Sequence, residues 1–317
     1  MWRGLTKAAL LTAFGRVPGG SRLYRTVTRD WMATQSSHIT KLGRVWPGYV
    51  KVWRGAGLEL EGADVWIHEG GWTPFVFLAN HLVTGRGGVV TNREATMLDR
   101  YVGAAVNAAV SCELDDVPGV PDRRDALERL RWSSRVCDVV GSVRGRLLEH
   151  VDVGSLSLPD ASVDLCHTGG ALEHLRPAQL RAFLSECRRI VRPGGLMSHV
   201  LDHRDHLHHA DPAWPYLSHL RWSPTAYEVL FGHPLLYHNR LLPSKVAPMF
   251  EEEGFEPVAL RRLVLPSHEW VDDEREANAA APGIARRRLA FAFRHASEAD
   301  LRTAAAHYVY RRSVEPA

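Results

Sequence analysis

Five histidines, His199, His203, His206, His208 and His209, fall within eleven residues of a chain that holds 17 in all. Imidazole ordinarily titrates near neutrality, so a histidine in such a run could take the proton from an attacking oxygen or nitrogen. Asp205 directly precedes His206, and an acid beside an imidazole can orient it and support its charged form. The same stretch offers a second chemistry. His203, His206, His208, His209 and Asp211 supply the imidazole and carboxylate that bind zinc, iron or another divalent ion. Their spacing follows no zinc pattern, and a polar loop of exposed histidines is the third reading. His68, His167 and His174 stand where strand ends are expected to converge, either packed in the core or lining a pocket mouth with Thr168.

The elements that would position these residues alternate along the chain. Asp64–His68 and Gly87–Thr91 read as short strands, each followed by a helix, Pro74–Val83 and Glu94–Ala109. Val163–His167 reads as a buried strand. Pro177–Val191 follows as a helix, with Leu180, Phe183, Leu184, Cys187, Ile190 and Val191 on one face. It stops at Arg192–Gly195, a break that precedes a strand over Leu196–Leu201. Ser244–Glu253 reads as a helix closed by Gly254, Phe255–Leu265 as a strand, and Tyr308–Arg312 as a last one. Strands alternating with helices predict an α/β fold with a largely parallel sheet covered on both faces. Residues 1–62 read as an N-terminal helical extension and 63–317 as the main domain, with an insertion at about 110–135.

Composition narrows the partners. With 39 Lys+Arg against 36 Asp+Glu the net charge is +3, close to balance, which excludes a strongly basic binder of nucleic acid or anionic membrane. The 10 Trp, 9 Phe and 8 Tyr exclude intrinsic disorder. No apolar run approaches the roughly 18 to 20 residues that span a bilayer. Ala8–Phe14 is short for a signal segment and reads as part of an amphipathic helix. Cys112, Cys137, Cys166 and Cys187 form no C-x-x-C pair and read as buried free thiols of a cytoplasmic protein. A small-molecule substrate is the expected partner.

One stretch is more specific than any of these patterns. Leu158-Pro159, Ser162-Val163-Asp164, Leu172-Glu173-His174 and Arg189-Ile190-Val191-Arg192-Pro193-Gly194-Gly195 follow one another in order. Their sequence and spacing resemble the second half of class I S-adenosylmethionine-dependent methyltransferases. Gly71-Trp72-Thr73-Pro74 resembles the first-strand loop of a bacterial subgroup of that family. Leu201-Asp202-His203-Arg204-Asp205-His206 and Tyr237-His238-Asn239-Arg240-Leu241 are similar to two later motifs of it, and Glu253-Gly254-Phe255 to its helix end. The resemblance implies a Rossmann-like sheet of the class I methyltransferase type, with a lid at about 203–242.

It also implies site residues. S-adenosylmethionine would be held by Glu69, Gly70, Gly71, Asn92, Asp152, Val153, His167 and Thr168, and the acceptor by His174, Tyr237, Asn239 and Arg240. His206, with Asp205 and His203, would carry the catalysis. The family's three cofactor-binding acids are replaced, however. Ile67 stands at the first-loop acid, Glu69 at the first glycine, Asn92 after the second strand, and Val153 or Gly154 after the third, with Asp152 early. Three readings follow: methyl transfer from S-adenosylmethionine to an oxygen or nitrogen of a small molecule, with specialised metabolism as one setting; the same fold running other chemistry without that cofactor, with a metal at His203–Asp211 as one version; or a non-catalytic binding protein.

Overall fold

The strands form where short runs of β-branched and large apolar residues can be covered from both sides. In the computed structural model they are β1 (Val65–His68), β2 (Val89–Asn92), β3 (Arg146–Glu149), β4 (Val163–Gly169), β5 (Val191–Asp202), β6 (Phe255–Val264), β7 (Glu269–Val271) and β8 (Thr303–Arg312). The structure describes residues 2–20, 23–24, 36–94, 97–211, 213–265, 269–272 and 286–314. The helices are α1 (Trp2–Arg16), α2 (Ser36–Gly55), α3 (Phe75–Thr84), α4 (Val102–Val110), α5 (Val120–Glu128), α6 (Val136–Ser142), α7 (Pro177–Ile190), α8 (His206–Ala210), α9 (Pro224–Phe231), α10 (Pro243–Glu252) and α11 (Glu298–Arg302).

The eight strands make one sheet in the order β3-β2-β1-β4-β5-β8-β6-β7. β1 to β5 pair in parallel, while β8 runs antiparallel to both β5 and β6 and β7 is an antiparallel edge. This is a Rossmann-like, mostly parallel sheet with helices on both faces, as the alternation of elements predicts. The strand order reverses beside β1, between β1 and β4, which opens a crevice above the carboxyl ends of these strands.

Each face carries its own core. On one side α2, α3 and α4 bury Trp46, Trp53, Phe75, Phe77 and Val106 against Ile67 and Leu165. On the other, α7 and α10 bury Phe183, Leu184, Ile190 and Phe250 against Trp66, Cys166 and Tyr308. The amphipathic period of α7 dictates this packing, since its inward positions Leu180, Phe183, Leu184, Cys187 and Ile190 are fully buried.

Several boundaries differ from those read in the sequence. The helix expected over Glu94–Ala109 begins only at Val102, after a 3₁₀ turn at Asp99–Tyr101, and residues 95–96 lie outside the described residues. The stretch read as an insertion contains α5 and buries Leu114, Val117, Val120 and Leu127. Pairing of β5 starts at Val191 rather than Leu196, because the Pro193–Gly195 break is absorbed as a register shift between Val163 and Leu165. The last strand begins at Thr303 rather than Tyr308. Cys137 is exposed, unlike Cys112, Cys166 and Cys187. Of the helical extension, residues 25–35 lie outside the described residues. No helix among the described residues is long and apolar enough to cross a membrane.

Candidate active site at the carboxyl ends of the sheet

The first wall is the turn after β1. Glu69 takes the left-handed conformation, with φ 57°, and its N–H donates to Thr91 O at 2.7 Å, carrying the β1–β2 ladder one residue further. That places its carboxylate beside Arg93, whose Nε and backbone N donate to Oε1 at 2.8 and 3.0 Å. Burial would push the Glu69 carboxyl up, but His68 and Arg93 outweigh it and hold it below its ordinary value. Gly70 must be glycine, because a Cβ there would lie 2.5 Å from Val90 Cγ1. Gly71, with φ 85°, has no atom within 4 Å of where a Cβ would stand. Asn92 Oδ1 accepts from Gly70 N at 2.9 Å, so the amide ties the end of β2 to this turn.

Other residues expected around the cofactor point elsewhere. His167 donates Nδ1–H to Ser198 O at 2.8 Å and lies among Trp46, Tyr49 and Trp53. Thr168 Oγ1 bonds His199 Nδ1 at 3.0 Å and is fully buried. Successive residues of β4 thus face the two cores rather than the crevice. Val153 is buried, and Asp152 Oδ1 accepts from Gly154 N in its own loop.

The second wall is the 3₁₀ turn Leu172–His174 after β4. Asn239 fastens it: its N–H donates to Glu173 O, and its Nδ2 donates to Leu172 O and Leu175 O at 3.0 and 3.2 Å. His174 Nδ1–H donates to Tyr237 O at 3.1 Å. Glu173 is 2% exposed, and its Oε2 has no hydrogen-bond partner. Burial pushes this carboxyl up to about 8. His206, at the start of α8, also keeps a buried nitrogen, Nε2, without a partner. Its ring centre lies 4.8 Å from that of His174, and burial with the neighbouring His238 and His174 holds it well below the ordinary imidazole value. Asp202, at the end of β5, takes Arg204 on both oxygens and His209 Nε2 at 2.7 Å. Burial raises the Asp202 carboxyl, but these bonds prevail and keep it ionised.

The histidine run therefore does not act as one unit. Both nitrogens of His203 are committed, Nδ1 to Leu241 O at 2.9 Å and Nε2 to Tyr308 Oη at 3.1 Å, and burial lowers its pKa to about 4. His208 Nδ1–H donates to Trp214 O, and Asp211 Oδ1 accepts from Ala213 N. Asp205 caps α8 through Leu207 N and accepts from Trp214 Nε1, with no hydrogen bond to the His206 ring. Arg240 donates to the His219 and Trp222 carbonyls and lies 4.0 Å above the Tyr227 ring, while Tyr237 carries Arg176 on its face. What converges is Glu173, His174 and His206, joined through His206 to Asp202 and His209. Glu173, Asp202 and Arg93 were not singled out in the sequence. Glu173 sits inside the Leu172-Glu173-His174 motif and Asp202 one residue before His203, so both had a signal.

Two cavities bear on ligand size. One of about 20 Å³, lined by Asp205, His206, His219, Tyr227, Leu236 and His238 among others, has room for one water and no more. A groove of about 590 Å³ has walls that include Arg44, Pro47, Asn107, Ser111 and Glu113 and none of the strand-end residues.

The motifs of Leu158–Gly195, along β4, α7 and the start of β5, lie within the stretch that the sequence comparison picks out. Residues 128–198 match the family model described as a methyltransferase domain. No curated protein matches the sequence. Among solved structures, the chain is similar to an S-adenosylmethionine-dependent methyltransferase from Mesorhizobium loti, at 12% identity over 84% of this chain and 97% of that one, TM-score 0.41. It is also similar to one from Methanosarcina mazei, at 12% identity over 81% and 95%, TM-score 0.40. The 4+2 cyclase SpnF is a third likeness, at 16% identity over 85% and 82%, TM-score 0.42. At such scores these likenesses assign neither activity nor ligand to this chain.

Proposed function

We propose that the domain moves a methyl group from S-adenosylmethionine to an oxygen or nitrogen of a small-molecule acceptor held over the ends of β1, β4 and β5. The observation that carries this reading is the Glu69–Gly71 turn. Gly71 leaves open space above the loop, and Glu69 Oε1 is anchored by Arg93, which leaves Oε2 to accept from a ribose diol. The carboxylate that the family resemblance expects at position 92 is thus supplied from position 69. These residues fit the cofactor, which when bound supplies an electrophilic methyl on sulfur.

The chain's own task is placement and proton removal. As the acceptor–methyl bond forms and the sulfur–methyl bond breaks, the acceptor loses a proton, and the neutral imidazole of His206 would receive it. The segment at about 203–242 covers the acceptor, and residues 63–317 form the working domain. Calorimetric titration with S-adenosylhomocysteine tests the reading. Binding is expected, weakened about 10- to 100-fold in Glu69→Gln, the worth of one charge-assisted hydrogen bond. No heat at millimolar ligand would sink it. That result would select the second reading, other chemistry on the same fold, which the occupied Asn92 amide favours.

A further inference from the structure

We infer that Glu173, His174 and His206 hold a divalent transition-metal ion at the carboxyl ends of β4 and β5, with Asp202 and His209 beside it. One oxygen or nitrogen from each of the first three lies within 4.8 Å of the other two, and the same holds for Asp202, His206 and His209. The set differs from the sequence-adjacent His203–Asp211 run: only His206 and His209 are kept, and Glu173, His174 and Asp202 arrive from other elements.

The independent observation is the pair of bare buried atoms, Glu173 Oε2 and His206 Nε2. Leaving a buried polar atom unpaired costs on the order of 1–3 kcal/mol, and a native structure that does so calls for an ion, a water or a catalytic role there. A cation satisfies both at once. The supports around them are those a metal site needs. His174 gives its Nδ1–H to the Tyr237 carbonyl, which fixes the tautomer and presents Nε2 as a lone pair. Asn239 locks the turn that carries Glu173 and His174, and Arg204 holds Asp202 in place. Two imidazoles and one carboxylate select ions of borderline softness, such as Zn²⁺ or Fe²⁺, over Mg²⁺ or Ca²⁺, which take oxygen ligands. Positions not filled by the protein are open to an acceptor hydroxyl. The ion would lower its pKa and the proton would pass to solvent, an alternative to the His206 base of the methyl-transfer reading, since His206 would then be a ligand. That use rests on the methyl-transfer reading; the binding itself does not.

Protein stripped with a chelator and titrated with Co²⁺, followed by its visible ligand-field absorption, is the test. One Co²⁺ per chain is expected, displaced by Zn²⁺. Glu173→Gln and His206→Ala are each expected to weaken binding by at least about 100-fold, the upper end of what losing a mere orienting partner does. His295→Ala, at an exposed site, is expected to leave it unchanged. Wild-type protein that takes up no stoichiometric Co²⁺, or whose binding survives both ligand changes, overturns the inference. If either variant fails to fold, His174→Gln replaces it, and retained binding there is equally contrary. Because no cofactor is added, failure here is distinct from failure to bind S-adenosylhomocysteine.

Discussion

Two sets of buried histidines differ in what their nitrogens meet. Beneath α2, Trp53 Nε1 donates to the Ser198 hydroxyl at 2.8 Å, His307 Nε2 meets the same oxygen at 2.8 Å, and His167 donates to the Ser198 carbonyl. His203 and His238 are bonded at both nitrogens, to Leu241 and Tyr308 in one case and to Asp202 O and Arg240 N in the other. At the ends of β4 and β5, the buried Glu173 and the half-buried His206 each keep a bare buried atom. His219 and His233 also keep bare buried nitrogens, so what sets His206 apart is that its bare nitrogen lies in a cluster with a bare carboxylate oxygen and a second imidazole. His68 and His199 are intermediate: each is bonded at Nδ1, to Thr91 or Thr168, bare at Nε2, and packed against Phe183 inside the core.

Acid should break the first set. Burial lowers His167 and His203 of that set to about 4. The unfolded chain, titrating near 6.5, therefore binds more protons between these values, and stability is full above about 6.5 and lost as pH falls toward 4. Each imidazole contributes on the order of 3 kcal/mol to that loss. Urea midpoints measured from pH 8 to 4 should fall steeply below 6.5, and a flat profile would contradict the assignment. Trp53→Ala removes a buried ring and the hydrogen bond to Ser198, and is expected to cost about 3–5 kcal/mol by thermal unfolding. Co²⁺ binding should be retained at temperatures where that variant is folded.

Asn239→Ala sharpens the contrast from the other side. It frees the Leu172 and Leu175 carbonyls, at a cost of about 1–3 kcal/mol, and unfastens the turn that carries Glu173 and His174. Co²⁺ affinity should fall roughly 10- to 100-fold, as for loss of an orienting partner. The smallest change is Arg176→Ala. Its pair with Glu228 is half-exposed, so about 1 kcal/mol or less is expected, with unaltered metal and cofactor binding.

The motif region was legible because its signals are local. The period of α7, the Pro193-Gly194-Gly195 break and the apolar run of β4 each report on their own residues. β3 escaped notice because Arg146-Leu147-Leu148-Glu149 is short, half-buried and charged at both ends, with no alternation to mark it. The site was legible in its parts but not in its grouping. His203, His206, His208 and His209 are neighbours in sequence, yet α8 and its flanks send them to different partners, and Asp205 spends its carboxylate on capping. Glu173 and His174 reach His206 only because β4 and β5 are adjacent in the sheet, a relation no local pattern encodes. His206 and His209 were the exception. Three residues apart on a helix, they share a face, as the spacing alone implies.

The measurement that bears most directly on the account is a long-range imidazole ¹⁵N NMR spectrum of the chelator-treated protein, taken from pH 8 to 5 and then with one equivalent of Zn²⁺. His167, His203, His238 and His307 should stay neutral, each in a single tautomer, through that range and not move when Zn²⁺ is added. The nitrogens of His174 and His206 should shift together on its addition. Titration of the first group near 6.5, or a Zn²⁺ response that falls on it and spares His174 and His206, would contradict the division on which the account rests.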